Sequence, residues 1–273
     1  MIRIGFIDNY LDEWHADNYP RLFAKAAEKT GIACEIVGAF ALRDGPNGKK
    51  STEEWCRAKG IRQYDSPEAL AEDCDALLVF APDDPELHPE LAACVLPLGK
   101  PTFIDKTFAL TAEDARGMLA LAERLGVRMY STSSLRYAEE VQAAKGRRNV
   151  TLTGNYVHLK DYLVHVGEML VSIIGTGLGA LKLRVNGAEY RFEVRCADGR
   201  GGEVVLTPKG QFSVDGTEVK SDFFGRQIEQ ILRFFAGAEI DFDRAESIEV
   251  AKFVQGGLLA VQAENEWIDL SVL

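Results

Sequence analysis

Three side chains have types and spacing suited to moving protons. Lys106 closes the run "PTFIDK", and His165 and Glu168 stand three apart in "DYLVHVGEML". Residues three apart on a helix share a face, so the carboxylate could orient the imidazole or bind a substrate hydroxyl. An ammonium at the end of a strand of a parallel sheet lies at the carboxyl edge, where ligands of α/β proteins bind. Oxidising a secondary alcohol needs a base near the hydroxyl proton, a group that stabilises alkoxide character and a hydride acceptor held close to the carbon. Lys106 and His165 could supply the first two. Structural roles compete with each assignment. Lys106 can pair with Asp105 at the surface, and His165 can be a packed histidine among Leu163, Val164 and Val166. Tyr162 and Asp161 lie one turn upstream of His165, where Asp161 can equally be the helix N-cap.

The elements that must position these groups follow from hydrophobic patterning. To about residue 130, short β-rich runs alternate with helical segments: "IRIGFI", a helix ending near Thr30, "CEIVGAF", a helix around "TEEWCRAKG", "ALLVFA", a helix around "HPELAACVLPLG", "PTFID" and a helix from Thr111 to Gly126. That alternation predicts βαβ crossovers and a doubly wound parallel sheet of the Rossmann kind. Thr111 can cap the last of these helices with Asp114 three positions on, and Gly126 stops it. After the strand "VRMYSTS" the pattern changes. A helix is expected from about Asp161 to Ile174, then alternating runs "LKLRV", "YRFEVRC" and "EVVLTP" separated by hairpin turns such as "NG" and "DG". Two helices, around "RQIEQILRFFAG" and "SIEVAKFVQGGLLAVQAEN", close the chain. The expected domains are therefore 1–130, an α/β Rossmann unit, and 131–273, an α+β domain with an open, mostly antiparallel sheet. The C-terminal helices are expected to pack back on the first domain.

The turn after the first strand is unusual. A dinucleotide fingerprint places glycines there, so that backbone amides approach the pyrophosphate at a helix N-terminus. In "GFIDNYLDEWHADNYP" those places hold Asp8, Tyr10 and Glu13, and Asp12 and Asp17 add further acids. Carboxylates near a helix start offset its dipole and repel a diphosphate at close range unless protonated or paired. Either a dinucleotide binds in an altered pose, with Tyr10, Trp14 or His15 stacking on it, or the pocket is refitted. Asp8, Glu13, His15 and Asp17, with Asp105 nearby, could form an oxygen-rich site for a divalent cation or a polyhydroxylated ligand. Alternatively Asp8 and Asn9 make a turn, Asp12 and Glu13 favour the helix start, and Trp14 and Tyr19 pack. No residue is assigned as a metal ligand. After the second strand, Arg43 could receive a 2′-phosphate.

Residues 74–141 resemble the Gfo/Idh/MocA family, the glucose-fructose oxidoreductase and inositol dehydrogenase group. The motifs that carry the resemblance are Ala81-Pro82, His88, Gly99-Lys100, Asp105-Lys106-Thr107 and Arg136-Tyr137, in the family's order and spacing. "DYLVHVGEMLVSIIG" is similar to its helix bearing a His with an acid three residues later, and the last two helices are similar to its C-terminal pair. The resemblance implies an oxidoreductase moving hydride between NAD or NADP and a sugar, polyol or related hydroxylated small molecule. Lys106 and His165 would handle protons, Glu168 would orient, and Arg136 and Tyr162 would bind substrate. Asp8, Tyr10, His15, Arg43, Pro82, His88 and Asp105 would face the cofactor. It also implies a homo-oligomer, dimer or tetramer. The alternative is a member that has lost dinucleotide binding and serves as a ligand-binding or non-redox protein, with metal dependence as a variant.

Bulk composition narrows the partners. A chain of 273 residues, 47% hydrophobic, affords sizeable cores, and its net charge of −11 opposes polyanions, so no nucleic-acid partner is expected. No apolar run approaches the roughly 18 residues of a membrane span. The five cysteines form no C-x-x-C pair and no N-terminal apolar leader precedes them, which fits a reducing cytoplasm.

Overall fold

The computed structural model describes all 273 residues. They divide into two compact units, 1–108 with 117–131 and 227–241, and 109–116 with 132–226 and 242–273.

The first unit is built on β1 (Ile2–Asp8), α1 (Trp14–Thr30), β2 (Cys34–Ala41), α2 (Thr52–Lys59), β3 (Arg62–Gln63), α3 (Pro67–Asp73), β4 (Ala76–Val79), α4 (His88–Val95), β5 (Thr102–Ile104), the later part of α5 (Ala112–Leu125) and β6 (Met129–Ser131). Its strands form one parallel sheet in the order β3-β2-β1-β4-β5-β6, the doubly wound arrangement expected from the alternation. The central strand β4, "ALLV", is buried along its whole length, as a strand covered on both faces requires. Helix α1 buries Ala16, Tyr19, Phe23 and Ala26 on one face and stops at Gly31, whose φ of 73° a side chain would resist. The strand glycines serve packing: Gly5 and Gly38 are register partners, and a Cβ on Gly38 would come within 2.2 Å of the Tyr64 ring. Because β4 lies between β1 and β5, the chain leaves the sheet at Asp8, Phe80 and Asp105 along one edge.

The second unit contains α6 (Glu139–Ala144), β7 (Asn149–Asn155), α7 (Leu159–Ile174), β8 (Leu178–Asn186), β9 (Glu189–Cys196), β10 (Gly201–Thr207), β11 (Ser213–Val214), β12 (Thr217–Glu218), the first residues of α8 (Phe223–Phe235), α9 (Ala245–Gln262) and β13 (Trp267–Asp269). The sheet runs β12-β11-β7-β10-β9-β8-β13, antiparallel except for β7 with β10. Residues 227–235 of α8 belong with the first unit and α9 with the second. Helix α7 is buried from Val166 to Ile174, and at Gly167 an added Cβ would meet the Phe253 ring of α9 at 2.7 Å. Its first turn corrects the expected cap: His158 occupies the N-cap and Asp161 lies inside the helix. No helix of the chain is long and apolar enough to cross a membrane.

Candidate functional site

The first cluster gathers where β1, β4 and β5 end. Asp8 is buried, and its Oδ1 accepts the Asn9 amide at 2.7 Å and the Ala81 amide at 2.9 Å, while Oδ2 has no hydrogen-bond partner. Glu13 is the N-cap of α1. One carboxylate oxygen accepts the His15 amide at 2.8 Å and the other accepts the Ala16 amide. A carboxylate there satisfies two of the helix's orphan donors and faces the positive end of its dipole. The His15 ring places Nδ1 2.9 Å from Glu13 and Nε2 3.5 Å from Asp105 Oδ2. The latter is an ion-pair distance without hydrogen-bond geometry, and Asp105 Oδ1 has no hydrogen-bond partner.

These neighbours shift one another. Burial holds the Asp8 carboxyl well above the usual carboxylate range, and Glu13 and Asp105 push the same way against the two amides. Burial would lower the His15 imidazolium, but Asp105 and Glu13 outweigh it and raise its pKa. Tyr19 stays a neutral phenol, raised by burial and by the same two carboxylates. Asp17 takes no part in this cluster: it accepts the Trp55 indole N–H at 2.9 Å and pairs with Lys59. Trp14, expected to pack, is 49% exposed.

The flanking residues find other uses. The Tyr10 ring lies under the Lys49 ammonium, 4.4 Å from the centroid, with the Arg43 guanidinium at 5.6 Å. Arg43 donates to Asn9 Oδ1 at 3.1 Å, and Asn9 Nδ2 donates to Asp84 at 2.6 Å. Lys106 donates to the Pro82 carbonyl at 3.2 Å and makes no ion pair with Asp105, which removes the surface-pairing alternative. His88 is among the residues expected to face the cofactor. It is fully buried, with Nε2 2.6 Å from the Phe80 carbonyl and Nδ1 2.8 Å from the Thr107 carbonyl, so both nitrogens face the backbone of the two loops that carry Pro82 and Lys106. Burial lowers its pKa despite those carbonyls, which favour the charged ring. No group of three or more His, Cys, Asp or Glu is arranged to hold a metal ion.

In the second unit, His165 Nδ1 lies 2.8 Å from the Ser133 hydroxyl and its ring meets Tyr162 edge-on at 5.7 Å. Glu168, expected to orient this imidazole, does something else. Its Oε1 accepts Thr132 Oγ1 at 2.8 Å and Arg136 Nε at 2.5 Å, and its Oε2 accepts the Ser133 amide at 3.3 Å. The Ser133 hydroxyl is thus a hydrogen-bond partner of the imidazole, and Glu168 holds Ser133's backbone. Arg136, expected to bind substrate, is 2% exposed, paired with Glu168 and Glu246 and stacked on Phe242 at 4.0 Å. Burial alone would lower its pKa; Glu168 and Glu246 reverse this and keep it charged. Its Nη2 is the guanidinium nitrogen without a hydrogen-bond partner. Sequence reasoning missed Thr132, Ser133, Glu246 and Phe242. The hydroxyl run "STSS" at a strand end was the available signal.

Residues 24–133 match a family model described as the oxidoreductase family with an NAD-binding Rossmann fold. The matched stretch carries Pro82, His88 and the Asp105-Lys106 pair, which the structure assembles at one sheet edge. Over that stretch the chain is similar to the Gfo/Idh/MocA oxidoreductases. Inositol 2-dehydrogenase of Paracoccus denitrificans (strain Pd 1222) is 28% identical over 130 residues, 47% of this chain. That stretch is 39% of the dehydrogenase, so the match spans well under two thirds of the relative's length. Among solved structures, an oxidoreductase of Thermotoga maritima superposes with a TM-score of 0.74 at 15% identity, covering 99% of both chains. An oxidoreductase of Agrobacterium radiobacter, in complex with NAD+, L-tartaric acid and magnesium, gives 0.72 at 15% identity, again over 99% of both. At such identity the likeness is one of fold.

The family match begins at residue 24, beyond the turn that would cradle a pyrophosphate. The residues of that turn do not fit the group in the usual pose. Amides that a Rossmann turn offers to phosphate are here bonded to Asp8 and Glu13, and Tyr10 stands where a glycine would allow close approach.

Proposed function

We propose that this chain acts on a sugar, a polyol or a related hydroxylated small molecule, with Lys106 and His165 as its proton-handling residues. The observation that carries the reading is Lys106, an ammonium at the carboxyl edge of the parallel sheet, bonded to a carbonyl and left unneutralised by the adjacent Asp105. Such a group retains donors for a substrate hydroxyl and can stabilise negative charge developing on it. The name of the Paracoccus relative, an inositol 2-dehydrogenase, supports the same substrate class. Tyr162, edge-on to His165, belongs to the proposal as a substrate contact.

Two versions of the chemistry follow. Hydride exchange with NAD or NADP is supported by the family's description. A non-redox or ligand-binding role is supported by the carboxylate-filled turn. A homo-oligomeric state is part of the proposal, and light scattering reads it directly.

The test is calorimetric titration with a panel of hexoses, pentoses, inositols and aldonates. At least one is expected to bind saturably, and Lys106→Ala should weaken it about tenfold or more, or about 1.4 kcal/mol. No binding by any panel member, or equal affinity in the variant, contradicts the reading.

A further inference from the structure

A Rossmann unit takes its cofactor by offering a diphosphate two things at the end of its first strand: unspent backbone amides and room for close approach. In this chain both have been withdrawn. The Glu13 carboxylate accepts the first-turn amides of His15 and Ala16, and the Asp8 carboxylate accepts the amides of Asn9 and Ala81 at the tips of β1 and β4. Both carboxylates are buried, at 7% and 1% exposure, so neither is a solvated side chain free to swing aside. The room is taken by the Tyr10 ring, pinned by Lys49 above it and by Asp83, which accepts its hydroxyl at 3.3 Å. The His15 imidazole is already shared between Glu13 and Asp105.

We propose that the Glu13 carboxylate is a built-in occupant of the anion seat at the start of α1, so that this chain does not take NAD or NADP by the pyrophosphate. The seat's preference is inverted: it repels phosphates and tolerates neutral, hydroxyl-bearing groups. This deepens the proposed function by choosing its non-redox version, and rests on that reading only for the class of ligand. Asp105 Oδ1, a buried acceptor without a hydrogen-bond partner, carries the inverted preference, because only a donor relieves it.

Calorimetric titration of the wild-type chain with NADH, with NADPH and with inorganic pyrophosphate is the test, repeated on Glu13→Ser and on Asp8→Gly/Glu13→Ser. Serine keeps a neutral cap on α1, so the helix survives while one carboxylate leaves. The wild-type chain should give no saturable heat with any of the three. Glu13→Ser should gain measurable pyrophosphate binding, and the double variant should bind at least about tenfold tighter still. Micromolar binding of NADH or NADPH by the wild type overturns the proposal, as does a folded Glu13→Ser that gains nothing. If the double variant fails to fold by circular dichroism, the wild-type and single-variant arms decide. A negative result in the sugar panel leaves these titrations unaffected, so the two readings fail separately.

Discussion

Two regions of the molecule bury carboxylates, and they treat them in opposite ways. In the second unit, Glu168 meets a full set of partners: the Arg136 guanidinium, the Thr132 hydroxyl and the Ser133 amide. In the first, Asp8 and Asp105 retain oxygens with no hydrogen-bond partner, and Asp105 has only the shared imidazole of His15 at an ion-pair distance. A buried charge that is fully paired holds structure together. One that is incompletely paired keeps its proton, as Asp8 does, or awaits a donor. The difference teaches which carboxylates belong to the scaffold and which to a site.

Breaking the paired region should have the largest effect. Arg136→Met leaves Glu168 buried without its cation and should cost about 3–5 kcal/mol in urea denaturation. A loss below about 1 kcal/mol would show that Glu168 is not held by Arg136. Next, Glu13→Ala removes the cap of α1 and should cost about 1 kcal/mol, with the amides of His15 and Ala16 exchanging faster with solvent. An unchanged denaturation midpoint would deny the cap.

The incompletely paired region should respond in the other direction. Asp8 keeps its proton in the native chain above the pH at which the unfolded chain, with a pKa near about 3.9, has lost it. In that window the native state binds more protons, so stability falls as pH rises towards the native pKa. Asp8→Asn removes this cost. It should be more stable than wild type at neutral pH, with the advantage shrinking as the pH drops to the ordinary carboxylate range; an advantage independent of pH would refute the assignment. His15 should give the same downward slope with pH, but as a stabilising contribution that is lost rather than a cost that grows, and of smaller size. Its raised pKa gives stability that is complete below about 6.5 and lost as pH rises through the native value. A His15→Gln variant should accordingly lose more at pH 6 than at pH 9.

What the sequence disclosed followed how local the interactions were. The boundaries of α5 were legible because Thr111 and Asp114 bond each other and Gly126 ends the helix within a few residues of chain. The parallel sheet was legible from alternation alone. Helix α3 was not, since "SPEALAED" buries only Leu70 and Ala71, too short a stripe to show a period, although Ser66 caps it and Pro67 opens it. Strand β7 escaped notice because its partner β10 lies fifty residues on, and parallel pairing leaves no hairpin mark. The same holds at the candidate sites. The turn at 8–17 showed its acids, and Glu13 as a helix-start residue, but not that Asp17 leaves the cluster for Trp55. Glu168 and His165 share a face as their spacing required. Spacing could not reveal that Arg136, a distant residue, claims the carboxylate and leaves Ser133 to meet the imidazole.

The central claim, a carboxylate standing where a phosphate would sit, is tested most directly by following the backbone amide resonances of His15 and Ala16 while NADH is added to the wild-type chain. If Glu13 holds those amides, their resonances stay in place throughout the titration. A saturable shift of both, with NADH bound against the start of α1, would contradict the account.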